Sequence, residues 1–268
     1  YILLLVAFFY SCKNNGQKAD SANNTATQKT LEPIGGKLYS VPEELKEISG
    51  ISFVNDTLLV SIQDEEGILY FYSLSREEVI RKYEFWKGKD YEDLAVVGND
   101  LFIVNSSGTI YELKNFNTGP SKPIVHKTAL REENNIEGLA YDAKNSRLLL
   151  AVKDKSLDND QSKKDIYAFD LKTKELNTRA VYSIRLSEVE NYFAGDKLEE
   201  ISKKLLKKLG NQNLNEVFRT SALNFHPQTG NLYVLSSLNN IIAVLNPQGK
   251  IVEVLELDGK EVIQPGGL

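Results

Sequence analysis

NNIEGLAYDAKNSRLLLAVKD, residues 134–154, is the stretch that decides the fold. Glu137 stands before a glycine and an apolar run. KNS then supplies a turn, and a second apolar run ends at Lys153-Asp154. Short apolar runs separated by turn residues read as antiparallel strands. The same order recurs in SGISFVNDTLLVSIQDEEGILYFYSL (49–74), EDLAVVGNDLFIVNSSGTIYEL (92–113) and SALNFHPQTGNLYVLSSLNNIIAVLN (221–246). Each repeat continues into a third strand of the type LYFYSL, TIYEL, DIYAFDL or IIAVLN. A fourth strand is predicted in VIRKYEF, KPIVHKTA, TRAVYSI and KIVEVLELD.

The apolar residues that anchor the repeats are Ile51, Leu94, Leu139 and Leu223, spaced 43, 45 and 84 residues apart in turn. The last gap is one period plus an insert. Within the insert, about 187–210, Leu198, Ile201, Leu205, Leu206 and Leu209 fall at helical spacing before Gly210. A fifth repeat start stands at Gly267-Leu268. Four antiparallel strands recurring every 40–50 residues or so mark the blades of a β-propeller. The predicted fold is therefore all-β: a propeller of four-stranded blades over 37–268, with a fifth repeat start at its end and one helical insertion. The strand KLYSV (37–41) is expected to close the ring by joining the last blade. An open β-sandwich is the competing fold, but it has no reason to repeat its strand starts.

The chain has 268 residues and no methionine, and it opens inside an apolar run. It reads as a fragment whose first residues and last blade lie beyond its ends. Tyr1 to Tyr10 is too short to span a bilayer as a helix and has the length of a signal-peptide apolar region. Ser11-Cys12 and a polar stretch follow, an order similar to a bacterial lipoprotein signal. Residues 1–12 are read as that signal, with Cys12 the lipidated residue, and 13–36 as a disordered polar tether. The alternatives are an ordinary secretory cleavage site or a core strand. The implied location is the bacterial cell envelope, periplasmic or surface side, with the membrane reached through the lipid on Cys12. A net charge of −5 removes any reason to expect nucleic acid. The expected state is a monomer.

The first strand of a propeller blade lines the central channel. Ser49, Glu92, Glu137 and Ser221 share one slot at its start, so their side chains are expected to converge on the axis. Two carboxylates brought together repel unless something neutralises them. A hard cation does so, and calcium takes a flexible cage of oxygen ligands. Asp64 and Asn105, at the ends of second strands, and less directly Asp154, are candidates to complete the cage. The alternative is that each glutamate caps backbone amides at a tight blade start.

EISGISF, DYEDLAVVGNDLFIVN, NIEGLAYDAKNSRLLLAVKD, TSALNFHPQTGNLYVLS and IQPGGL, in that order, resemble the SdiA-regulated (YjiK-like) family of bacterial secreted β-propellers. The resemblance covers about 37–268. It implies a five-bladed propeller, distantly similar to NHL-repeat proteins, with a calcium site. The last start of that family reads QPEG, whereas Gly266 stands here in the place of the glutamate. The expected role is a module binding a small ligand or an envelope protein. The alternative is a calcium-dependent hydrolase of the esterase, lactonase or phosphoesterase type.

Other motifs read as structure. LDNDQSKKD (157–165) lacks the central glycine and closing glutamate of an EF-hand and is read as a solvated hairpin loop. His126 and His226 have no zinc spacing around them. NSSGT (105–109) reads as a hairpin turn, and Trp86 as packing between blades.

Overall fold

The computed structural model describes residues 2–5, 37–88, 90–192 and 218–257. Cys12, the tether, most of the insert and the fifth repeat start lie outside these residues. β1 (Ile2–Leu5) pairs antiparallel with β2 (Lys37–Ser40). Blade I holds β3 (Ile48–Asn55), β4 (Leu58–Gln63), β5 (Ile68–Ser73) and β6 (Glu78–Glu84). Blade II holds β7 (Tyr91–Val97), β8 (Asp100–Asn105), β9 (Ile110–Leu113) and β10 (Ile124–His126). Blade III holds β11 (Ile136–Asp142), β12 (Arg147–Val152), β13 (Lys163–Asp170) and β14 (Glu175–Arg185), and α1 (Leu186–Tyr192) follows it. Blade IV holds β15 (Ala222–Phe225), β16 (Leu232–Ser236), β17 (Ile241–Leu245) and β18 (Ile251–Glu256).

Every blade is a four-stranded antiparallel meander whose strands pair in chain order. Each of the four repeats makes one blade, with the strands where the periodicity puts them. The turns do the chemistry expected of them. Gly98, in the GND turn, has φ +61°, and Gly230, in the QTGN turn, has φ +68°. Both are left-handed conformations that glycine adopts without a steric penalty.

The inner strands β3, β7, β11 and β15 stand side by side in that order, each packed on the next. Among the described residues, β15 and β3 are not packed together in the same way. Among the described residues, β2, the strand expected to close the ring, takes β1 as its partner and joins none of the four blades. A strand edge with unused amides and carbonyls pairs with whatever strand reaches it.

The continuous apolar runs of the second strands follow from this stacking. In β12, Leu148, Leu150 and Val152 face Phe102 and Val104 of blade II, while Leu149 and Ala151 face Leu223 and Val234 of blade IV. Side chains alternate along a strand, so a strand buried on both faces must be apolar at every position. The contact between blades I and II is built the same way, from Val60, Ile62, Leu69 and Phe71 against Leu94, Leu101, Ile103 and Phe116. Each fully buried side chain of this size contributes about 1.5–3 kcal/mol. Stacking of neighbours is thus what makes a single blade stable.

Candidate axial site

Each of the first three inner strands carries a β-bulge at its start. The register slips between Ile48 and Gly50, between Tyr91 and Asp93, and between Ile136 and Gly138. The extra, unpaired residue is Ser49 in blade I, Glu92 in blade II and Glu137 in blade III. A bulge re-aims the side chain it carries. The shared sequence slot is therefore a shared backbone irregularity. Backbone bonds knit the blade mouths together. Tyr91 N donates to Asp64 O at 3.1 Å, Ser106 N to Asp90 O at 2.9 Å, and Ile136 N to Ser106 O at 2.9 Å.

The result is one electrostatic patch. Burial pushes the Glu92 carboxyl up to about 7, helped by the charge of Glu137 and then by Asp64 and Asp90, with Lys153 opposing. Glu137 is also raised, because burial outweighs the ammonium of Lys153 and the charge of Arg219. Lys153 Nζ donates to Glu137 Oε1. The Lys153 backbone is held from both sides: its N donates to Asn135 O at 2.9 Å and its O accepts from Lys164 Nζ at 2.7 Å. Asp154 accepts from Asn135 Nδ2 at 3.0 Å and pairs with Arg219 of the next blade. Those partners outweigh burial and lower its pKa.

The remaining candidates are placed differently. Ser49 Oγ donates to Ile62 O at 3.3 Å. Ser221 Oγ donates to Leu235 O at 3.4 Å and accepts from Ser237 N at 3.0 Å. Asn105 Oδ1 accepts from Thr109 N and Ser107 Oγ, both at 2.9 Å, and so builds the NSSGT turn. These three side chains are occupied by local backbone and turn bonds, whereas Glu92, Glu137 and Asp64 share a field. Sequence reasoning missed Lys153 and Arg219, which supply the positive charge, and Asp90. Lys153 ends the second strand of the quoted repeat. Arg219 lies two residues before Ser221 in a stretch with no pattern of its own. Among the described residues, no three His, Cys, Asp or Glu side chains converge to hold a metal. The donors of the patch are all oxygens, a set that suits calcium.

A second charged cluster lies on the rim between blades II and III. The Glu112 side chain is 1% exposed. It meets Lys114 Nζ at 2.8 Å, Lys174 Nζ at 2.9 Å and His126 Nε2 at 2.7 Å. Burial alone would raise Glu112, but the hydrogen bonds from Lys114, Lys174 and His126 win and take it to about 2. The His126 ring also packs on Phe169, 5.5 Å between centroids. His226 Nδ1 accepts from Gln228 N and Thr229 N and so braces a turn. In the 157–165 loop, Lys163 bridges Asp158 at 2.6 Å and Asp165 at 2.9 Å. Trp86 packs against the apolar contact between blades I and II.

The profile of the SdiA-regulated family matches residues 39–264, the bladed part of the chain. The chain belongs to the SdiA-regulated family. No curated protein matches it. Solved structures similar to the chain include three at 12% identity each. One is a structural genomics protein of unknown function from Bacteroides thetaiotaomicron, with TM-score 0.48 over 76% of this chain and 42% of that one. A streptogramin B lyase gives 0.45 over 79% and 55%. The Pan2 WD40 domain of Neurospora crassa gives 0.42 over 80% and 51%. The chain thus spans about half the length of the structures it matches.

Proposed function

We propose that this member of the SdiA-regulated family is an exported, lipid-anchored propeller that binds calcium at its axial mouth and presents that face to a ligand or envelope partner. One observation carries the reading: two bulge carboxylates from adjacent blades, Glu92 and Glu137, are held in one field, where burial, helped by the charge of Glu137, pushes Glu92 up to about 7. A divalent cation would relieve that repulsion, with Glu92 and Glu137 as ligands and Asp64 beside them. Lys153 would have to leave Glu137, so it acts as a built-in competitor. Export and anchoring are supported by the apolar run before Cys12 and the polar stretch after it.

Calorimetry of the metal-stripped chain with calcium tests this, beside Glu92→Gln and Glu137→Gln. Micromolar binding that both variants lose is the expected result. Absence of binding in the parent chain would sink the calcium reading and leave Lys153 as the cation of the site. A hydrolase is the second reading, because a carboxyl that titrates near neutral pH is what general acid–base catalysis uses. Chelator-sensitive turnover of an ester, lactone or phosphoester that Glu92→Gln abolishes would establish it.

A further inference from the structure

The residue after each blade-start slot is small in three blades: Gly50, Gly138 and Ala222. Blade II puts Asp93 there. Its side chain is buried to 5% exposure, deeper than either glutamate beside it. Its partners are backbone amides. Oδ1 accepts from Leu94 N at 2.8 Å on its own strand, and Oδ2 accepts from Leu139 N at 2.7 Å on β11. Blade I is shaped around it: a Cβ on Gly50 would lie 2.6 Å from Asp93 Cα and 2.7 Å from Oδ1. Asp93 therefore touches three consecutive inner strands at one point. It directly follows Glu92, and the amide it holds is two residues after Glu137.

Packing alone does not require a carboxylate in this slot, since glycine and alanine serve in the other blades. A buried carboxyl with only amide partners carries a desolvation cost that glycine or alanine in the same slot does not. A hydrogen bond between β7 and β11 directly behind both bulges is what those residues cannot make: it sets how far apart the two bulge residues stand. We propose that Asp93 is the positioning residue of the axial site, tying β7 to β11 so that Glu92 and Glu137 are held at a fixed spacing. This rests on the reading above, in which those glutamates are the working pair.

The test uses the full chain as Asp93→Ala and Asp93→Asn, with calcium calorimetry and amide hydrogen exchange. Alanine is expected to fold, as Ala222 does in the same slot, to speed exchange at the Leu139 amide and to weaken calcium binding tenfold or more. Asparagine keeps the volume and one acceptor and is expected to recover part of that affinity, with protection elsewhere unchanged. Parent-like affinity in the alanine variant would overturn the proposal. So would equal losses in both variants with protection lost throughout the blades. If alanine does not fold, asparagine decides: at least threefold weaker binding at an unchanged Tm supports positioning, and anything else overturns it. If the parent chain itself binds no calcium, the earlier reading has failed, and the tie is judged separately by the backbone NMR shifts of the asparagine variant. A change at Glu137 with none at Glu112 supports the tie, and no change at Glu137 overturns it.

Discussion

The axial mouth and the rim between blades II and III use the same residue types to opposite ends. On the rim, one buried carboxylate, Glu112, collects Lys114, Lys174 and His126. At the mouth, Glu92, Glu137, Asp64 and Asp90 face the ammonium of Lys153 and the more distant guanidinium of Arg219. The rim drives its carboxyl down to about 2 and the mouth drives one up to about 7. A group depressed by its partners adds stability at neutral pH, and a group raised by burial and like charges subtracts it. The rim is therefore built as a clasp. The mouth keeps a repulsion that folding alone would remove, which is where a working site is expected.

Replacing Glu112 tests the clasp and should have the largest effect. Glu112→Gln leaves two lysines and a histidine crowded around a neutral amide and should cost about 3 kcal/mol at pH 7. Urea unfolding measures it. Because the native carboxyl titrates near 2, the loss should persist above the usual glutamate range and vanish only as pH falls through about 2. Glu92 should behave in the opposite sense. Its native pKa of about 7 lies above the unfolded value, so its favourable contribution is complete below about 4.5 and is lost as pH rises through 7. Glu92→Gln should then stabilise the metal-free chain by about 2 kcal/mol at pH 8, since solvent still screens this half-buried group, and by little at pH 5. A destabilised Glu92→Gln at pH 8 would break the comparison. Lys174→Met is the mildest test. Glu112 keeps Lys114 and His126, so the loss should be about 1 kcal/mol, read as a small drop in Tm.

Much of this architecture was legible in the chain. The slot shared by Glu92 and Glu137, the turns at Gly98 and Gly230 and the doubly buried run of β12 all follow from local rules of turn chemistry and side-chain alternation. The partners of the site residues did not. Ser49, Asn105 and Ser221 share a slot or a strand end with the acidic residues, yet short polar side chains beside irregular backbone bond locally. Asp93 reads in sequence as one more acidic residue next to Glu92. Only the approach of Gly50 on one side and Leu139 on the other makes it a tie.

The sequence by itself determined that four-stranded units repeat, where their inner strands begin and which residues stand at those starts. Each of these is set by neighbours a few positions away. Only the tertiary structure decided that Lys153 would sit on Glu137, that Arg219 would reach Asp154 across a blade boundary and that Glu112 would gather cations from two blades. Lys153 reaches Glu137 through the bulged register of β11 on β12, and the two pairings that cross a blade boundary depend on how one blade is set against the next. That angle comes from the packing of apolar faces whose residues lie some tens of positions apart, and no local pattern encodes it.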